Sequence, residues 1–340
     1  MRHLPFTHPS HFLKERDFGQ KIEASFDFVR AHFRPLGRAL LYIVLPAMLI
    51  SGILSGLMQA QLMGMLVGWQ EMAKSGNSAA VLSTMSDFFS QPEYWGAVIG
   101  GLISFVLLTL TVYGYLVLRL EKETSEEVTV REVWQLVRQR FGGAILAFLG
   151  LGLVFVVGMM GLGLVLGILM SIMRNFVTVI LFVVGLYGSI FYFAVTLSLF
   201  FIIWMRERQG FFASLRRCFQ LIWGKWWSTF GLLFVMGLLL MVVLILVSAV
   251  VSLIGLPFIS AEIGGDTPPI NRVISVVSSC IQSVVALGLY PLLLLAPAFQ
   301  YFNLVERKEQ EGTYLLVDAI GQPATPVAPR AVRPDEEGEY

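Results

Sequence analysis

The sequence is poor in cysteine: Cys218 and Cys280 are the only two among its 340 residues. Cys218 falls in a predicted amphipathic helix and Cys280 inside an apolar run, so we expect no disulfide between them. Charged residues are also scarce, at 14% of the chain, whereas soluble domains contain about 25%. This composition argues against a large soluble protein.

Common motifs of catalysis and nucleotide binding are missing as well. The chain has no Gly-Lys-Ser/Thr phosphate loop, no paired His and carboxylate motif for metal-assisted hydrolysis, and no Gly-x-Ser-x-Gly turn. Near the N-terminus, His3, His8 and His11 lie close together, but no carboxylate or cysteine completes a ligand set, which favours a solvated tail. We therefore expect a protein that is not an enzyme and has no cofactor or metal.

Long apolar runs dominate the sequence, in which 56% of residues are hydrophobic. A helix of about 20 apolar residues spans the hydrocarbon core of a bilayer. Six runs reach this length, at about 39–66, 95–118, 144–171, 176–204, 228–255 and 274–302. They predict an all-α integral membrane protein with six transmembrane helices, and their cores contain no ionisable residue, which weakens the case for proton coupling.

Basic residues are distributed unevenly between the two sides of these predicted spans. The connections on one side hold only three of the 24 lysines and arginines, namely Lys74, Arg174 and Arg272. Basic residues near span ends mark the cytoplasmic side of a membrane protein. We therefore expect both termini to be cytoplasmic, and the polar first 38 residues predict no signal peptide. The net charge of +1 gives no indication of a nucleic-acid partner.

A short pattern occurs three times, each time just before an apolar run, at residues 27–33, 135–141 and 220–226. Each copy reads polar, apolar, apolar, variable, small or polar, basic, aromatic. Such repetition predicts three repeats of one amphipathic helix plus a helix pair. We place the repeats at about 17–119, 127–206 and 210–308, between a flexible tail at 1–15 and a disordered tail at 311–340.

In each copy, apolar residues recur at helical spacing and predict one buried stripe. The three stripes are Ile22, Phe26, Val29 and Phe33; Val130, Trp134, Val137 and Phe141; and Leu215, Phe219, Ile222 and Trp226. Helices of this kind either lie in the headgroup plane or pack on the cytoplasmic end of the bundle, and both interpretations can hold. The predicted membrane-interface residues are Arg30, Phe33, Arg138, Phe141, Arg216, Arg217, Lys225 and Trp226.

Two local features refine the predicted spans. Pro35 should end or kink the first amphipathic helix, because proline removes a helix hydrogen bond. The third run is rich in glycine, with Gly150, Gly152, Gly158, Gly161, Gly163 and Gly167. Small residues let helices approach closely in lipid, so we expect a packing face there.

Parts of the chain resemble a known group of bacterial membrane proteins. Residues 212–221, followed by Trp226 and Trp227, and residues 301–309 resemble the membrane domain of some glycerophosphodiester phosphodiesterases and the related six-span YciC-like proteins. Residues 16–22 resemble versions from Bacteroidota. The resemblance covers about residues 16–310 and implies a bacterial inner-membrane protein. It brings no site residues, and it does not imply phosphodiesterase activity, because that catalytic domain is absent from this sequence.

Together these features favour a non-enzymatic inner-membrane protein that organises or binds membrane components or partner proteins. Its expected partners are membrane lipids and a membrane protein, and no nucleic acid. The alternative is a transporter or lipid-handling protein with a cavity between the repeats. A wide cavity lined by Gln59, Tyr113 or Gln282 would favour that alternative.

Overall fold

All the regular structure is helical in the part of the chain that is described, namely residues 6, 8–74, 78–122, 126–172, 175–260 and 268–320 of a computed structural model. The first helices are α1 (Pro9–Phe12), α2 (Phe18–Ala31), α3 (Phe33–Ala39), a π-helical segment (Leu40–Val44), α4 (Leu45–Lys74), α5 (Ser78–Phe89) and α6 (Pro92–Glu121). They are followed by α7 (Val130–Ile172), α8 (Phe176–Leu197), α9 (Phe200–Arg206), α10 (Phe211–Ile222), α11 (Trp226–Ser260), α12 (Pro268–Glu309) and α13 (Glu311–Ile320).

Six segments are long and apolar enough to cross a membrane. They are Phe33–Leu62, Pro92–Glu121, Val130–Ile172, Phe176–Arg206, Trp226–Val251 and Arg272–Glu309. The predicted all-α class with six spanning helices is therefore confirmed. The organisation into three repeats stays a prediction.

The long helix α12 organises the bundle. It packs against α4 on one side and α11 on the other, and its basic end also contacts α2, α9, α10 and α13. From α4 the packing continues through α6 and α7 to α8. The buried fraction of the spans drops between α6 and α7: 44% of the most apolar 18-residue stretch of α6 is buried inside the protein, and none of that of α7. The pair α7 and α8 thus turns most of its apolar surface outward, where a bilayer would cover it.

Of the six glycines expected to form a packing face in α7, only Gly150 meets a neighbour, because a Cβ placed there would lie 3.0 Å from the ring of Phe211. Around Gly152, Gly158, Gly161, Gly163 and Gly167 there is open space where a side chain would project. Close helix approach occurs instead between α4 and α12. A Cβ placed on Gly56 would lie 2.5 Å from the Cα of Val276, which is too close for any residue but glycine.

The three copies of the pattern enter their spans differently. In the first copy the helix breaks at His32, between α2 and α3, and Pro35 lies inside the first turn of α3, where proline costs no hydrogen bond. Helix α2 therefore ends at Ala31, one turn before Pro35, which has no N–H to donate to the Ala31 carbonyl, and the first amphipathic helix is interrupted ahead of the span as expected. The second copy runs without interruption into α7, and the third breaks at Gly224, whose φ of +81° suits glycine.

The N-terminal segment packs against the bundle wherever it is described, which corrects the expected flexible tail at 1–15. Phe6 and Phe12 are buried, and their rings lie 5.5 Å from Phe299 and 5.7 Å from Phe302 respectively. Buried aromatic surface of this size stabilises the segment. Of the three nearby histidines, His8 and His11 have ring centroids 6.1 Å apart. His8 caps α1 by accepting a hydrogen bond from Ser10 N, and His3 lies outside the described residues.

Helix α13 replaces the beginning of the expected disordered tail at 311–340. Its first amide groups are capped by Glu306, which accepts hydrogen bonds from Gly312 N at 2.6 Å and Thr313 N at 3.1 Å. A carboxylate at a helix N-terminus satisfies free amide groups and complements the helix dipole. The rest of that tail, residues 321–340, lies outside the described residues.

Candidate membrane-interface site

The eight predicted interface residues all lie at the basic end of the bundle. Arg30, Phe33, Arg138, Arg216 and Lys225 are exposed, and Phe141, Arg217 and Trp226 are half-buried. Three segments bring them there: α2 with its continuation α3, the first turns of α7, and α10 with the start of α11. A surface of this composition, basic with interspersed aromatic rings, is suited to a headgroup layer.

The buried faces of these helices coincide with the predicted stripes only in part, for example at Val137 and Ile222. In α2 the buried residues are Lys21, Ala24, Ser25 and Phe28, and in α10 they are Ser214, Cys218, Leu221 and Ile222. Several of the predicted aromatic residues are exposed instead, among them Phe26 at 44% and Trp134 at 46%. The protein-facing side thus lies about one residue earlier in the sequence and is less apolar than the stripe.

The reason is the environment of these helices. In a soluble protein the most apolar side of a helix faces the core. Next to a bilayer, small and polar side chains face other helices, and large apolar ones can face lipid at no cost. Cys218 illustrates the protein-facing side, because burial raises the pKa of its thiol to about 12 and keeps it neutral.

Trp226 anchors the start of α11. Its ring stacks on Phe230 at a centroid distance of 5.3 Å and on Tyr192 at 6.1 Å. Its indole N–H donates to the carbonyl of Tyr192 at 3.4 Å. These contacts join α11 to α8 at the point where α11 begins.

Arg217 differs from its expected position facing the headgroup layer. Its Nε donates to Glu207 Oε1 at 3.2 Å, and its NH2 group lies 2.6 Å from Glu309. Partial burial would lower the pKa of this guanidinium, but the bonds to Glu309 and Glu207 outweigh it and raise the pKa. The side chain therefore binds carboxylates of the protein itself.

The same ion-pair network extends to Arg206, which the sequence analysis missed. Arg206 donates to both carboxylate oxygens of Glu311, at 2.8 and 2.9 Å, and to the hydroxyl of Tyr301 at 3.1 Å. That hydroxyl donates to Glu207 at 2.9 Å. These bonds join α9, α12 and α13, so the network holds the basic end of the bundle together.

A groove runs between α3 and α12 with a volume of about 360 Å³. We call it the arginine groove. Its walls are almost entirely apolar, and two arginines, Arg34 and Arg38, stand on its α3 side. They are four residues apart in one helix and therefore neighbours on the same face. The other lining residues are Val29, Phe33, Leu36, Gly37, Leu40, Leu41, Val284, Leu287, Gly288 and Pro291.

A second, smaller groove of about 170 Å³ lies between α11 and α12 and includes the exposed ring of Phe26. Neither groove is lined by Gln59, Tyr113 or Gln282. Gln59 instead accepts a hydrogen bond from Ser279 at 3.5 Å, across the contact of α4 with α12. The residues named for a transport cavity therefore lie elsewhere than these two grooves.

Two buried cations, Arg16 and Lys21, are further features that the sequence analysis did not single out. Arg16 is well provided with partners: its guanidinium donates to the carbonyls of His11, Phe12 and Lys14 and lies over the ring of Phe299. Within the described part of the chain, the ammonium group of Lys21 has one hydrogen-bond partner, the hydroxyl of Ser228 at 3.4 Å. No apolar pattern could reveal either, because both are strongly polar residues on a protein-facing side.

Comparison with known proteins adds no relative to this description. The chain matches no protein-family model, no curated protein and no solved structure. Among the described residues there is also no group of three or more His, Cys, Asp or Glu side chains that could hold a metal ion. The interpretation of the site therefore depends on its grooves, its basic residues and its position at one end of six apolar helices.

Proposed function

We propose that this protein is a non-enzymatic, multi-pass protein of a bacterial inner membrane that binds membrane lipids at its basic, cytoplasmic end. The kinship with six-span YciC-like proteins, suggested by the resemblance of residues 212–221 and 301–309, is part of the same proposal. Organising a membrane protein partner through the same end is compatible with this function.

The single observation that carries the proposal is the arginine groove. A phospholipid has two chemically different parts, an acyl chain and a phosphate. The apolar walls of the groove suit the chain, and the guanidinium groups of Arg34 and Arg38 suit the phosphate, which guanidinium binds in bidentate fashion. Basic side chains near an anionic leaflet each contribute about 1 kcal/mol.

Lipid mass spectrometry of the purified full-length protein tests this proposal. The wild type should retain anionic phospholipid through extraction in mild detergent. The double variant Arg34→Gln/Arg38→Gln should bind this lipid about thirtyfold more weakly and retain correspondingly less of it, since two headgroup contacts of about 1 kcal/mol each are lost. A matched control is Arg131→Gln/Arg272→Gln, which removes two exposed arginines that lie outside the groove and outside the predicted interface residues and should retain lipid as the wild type does.

Equal losses of retained lipid in both double variants would mean that binding depends on the overall surface charge, which would contradict a specific site in the groove. A partner protein recovered without retained lipid would favour an organising role instead. Uptake of a solute by vesicles containing the protein would favour the transporter alternative.

The proposed orientation has its own test. Single cysteines introduced at Ser125 and Gly210, in a chain in which Cys218 and Cys280 are replaced by alanine, should react with an impermeant thiol reagent only after the cells are opened. Cysteines introduced at Ser75 and Gly265 should react in intact cells. The opposite pattern would reverse the orientation derived from the basic residues.

A further inference from the structure

Lys21 is an almost fully buried cation without a counter-ion. Only 4% of its surface is exposed. Its ammonium group lies 3.4 Å from the hydroxyl of Ser228, and no carboxylate of the described residues comes within ion-pair distance. An ammonium group has three protons to donate. Burying it with one neutral partner is costly unless an anion or deprotonation compensates.

The neighbours of Lys21 increase this cost. Arg307 near the end of α12 and Lys225 just before α11 both act on it as like charges, and Asp17 at the start of α2 is the carboxylate that opposes them. Glu15, which is largely exposed, lies 3.6 Å from Arg307 and compensates that residue in part. These like charges come from three different elements, and Asp17 and Glu15 compensate them only in part.

The helix that begins beside Lys21 adds further hydrogen-bond donors. Thr229 N bonds to Lys225 O, as the first intrahelical bond of α11. The amide groups of Trp226, Trp227 and Ser228 precede it and have no intrahelical acceptor. At the N-terminus of a helix of 35 residues these amides favour an anion. Ser228 belongs to this first turn, so Lys21 points to the same place.

We propose that Lys21, Lys225, Arg307 and the first turn of α11 form a binding site for a phosphate group. Phosphate offers several acceptor oxygens and at least one negative charge, which satisfies both the spare ammonium protons and the excess of positive charge. The site lies where α11 enters its apolar span, so the phosphate of a phospholipid headgroup can reach it. A soluble phosphate ester carries the same group.

This site is separate from the arginine groove, since the two share no residue. The groove lies between α3 and α12, whereas the phosphate site lies between α2, α11 and the end of α12. The proposal therefore does not depend on lipid binding in the groove, and variants of one site should leave the other unaffected.

Thermal melting of the full-length protein in mild detergent tests the site with three probes. The probes are dioleoyl phosphatidylglycerol, dioleoylglycerol, which has the same chains without phosphate, and inorganic phosphate. The first should raise the melting midpoint of the wild type in a saturable way, because a ligand that binds only the folded state stabilises it. Dioleoylglycerol should have no such effect. Inorganic phosphate acting alone with equal strength would identify a soluble source of the group.

Two variants assign the effect to these residues. Lys21→Gln should weaken the apparent affinity about tenfold or more, since a hydrogen bond to a charged group is lost. The control Lys14→Gln removes an exposed lysine of the same segment and should bind as the wild type does. If Lys21→Gln does not fold, Lys225→Gln at an exposed position should weaken binding about threefold. Any one of three results would overturn the proposal: stabilisation by dioleoylglycerol, no response to either phosphate probe, or unchanged affinity in the variants.

Discussion

Gln300 donates a hydrogen bond from its side-chain amide to the hydroxyl of Thr229, at 2.9 Å across the contact between α12 and α11. Neither side chain has any exposed surface. The carbonyl oxygen of the same amide has no hydrogen-bond partner in the structure. This pair is therefore a polar link in an otherwise apolar helix contact, and it locks the relative register of two spans.

Replacing Thr229 with valine should destabilise the protein, because the buried amide of Gln300 then loses its acceptor. Leaving a buried polar group unsatisfied costs about 1–3 kcal/mol. The double variant Thr229→Val/Gln300→Leu should be closer to the wild type, since neither polar group remains. Unfolding in mixed micelles of increasing denaturing detergent measures these differences. A double variant as unstable as the sum of its single variants would show that the bond contributes nothing by itself.

Lys21 should make stability depend on pH in a lipid-free preparation. Burial, followed by the charges of Arg307 and Lys225, lowers the pKa of Lys21 from 10.5 to about 8, while Asp17 opposes this shift. The unfolded chain therefore binds the proton more tightly than the folded chain. It follows that the free energy of unfolding rises as pH increases from about 8 to 10.5, and that the full penalty is present below pH 8.

The measurement is the midpoint of detergent-induced unfolding at several pH values, for the wild type and for Lys21→Met. The variant should be more stable than the wild type below pH 8, and the difference should shrink as pH rises. Lys14→Met, at an exposed position, should follow the wild-type curve. A constant difference between wild type and Lys21→Met would mean that Lys21 does not titrate in this range.

Trp226 should matter more for stability than the neighbouring charges. Its ring contacts Phe230 and Tyr192, so Trp226→Ala should cost about 2 kcal/mol from lost apolar burial. Trp227 is the matched control, because its ring is 77% exposed and its loss should cost less. Arg216→Ala should change stability by no more than about 0.5 kcal/mol. The yield of folded protein in mild detergent and its melting midpoint report these changes; a larger effect at Arg216 would place that side chain in a binding contact.

Gly56 should not tolerate a larger residue. A methyl group there would lie 2.5 Å from the Cα of Val276 and 2.8 Å from the carbonyl of Ser275, both backbone atoms of α12. Gly56→Ala should therefore force α4 and α12 apart and cost about 1–3 kcal/mol. Gly237→Ala in α11, with nothing within 4 Å, should be neutral or slightly stabilising. Similar melting midpoints for both variants would contradict the close approach.

The number and the approximate limits of the spans could be predicted from the sequence, because each is a long apolar run and no soluble alternative accommodates six of them. The continuity of α7 was not predictable from the repeated pattern. All three copies look alike, but the first breaks at His32, the third breaks at Gly224 and the second continues without a break. The first break precedes Pro35 and the third lies at Gly224, whose φ is +81°, whereas residues 135–141 contain neither proline nor glycine.

The candidate site was predictable only in its outline. Arg30, Arg138 and Lys225 follow from the basic pattern and are exposed, and their place at a headgroup layer stays a prediction. The protein-facing sides do not follow, because Ser25 and Lys21 give no apolar signal. The arginine groove depends on residues about 250 positions apart, from Phe33 to Pro291, and no local spacing encodes that contact.

The aromatic cluster at the N-terminus sets an order of events during synthesis. Phe6, Phe12 and Phe28 are made first, but the rings that they pack against, Phe299 and Phe302, belong to the last spanning helix. Contacts between such distant residues form late, and chains emerge N-terminal end first. Until the sixth helix leaves the ribosome, these aromatic residues lack the cover of Phe299 and Phe302, so a chain truncated before α12 would expose part of their surface to proteases and chaperones.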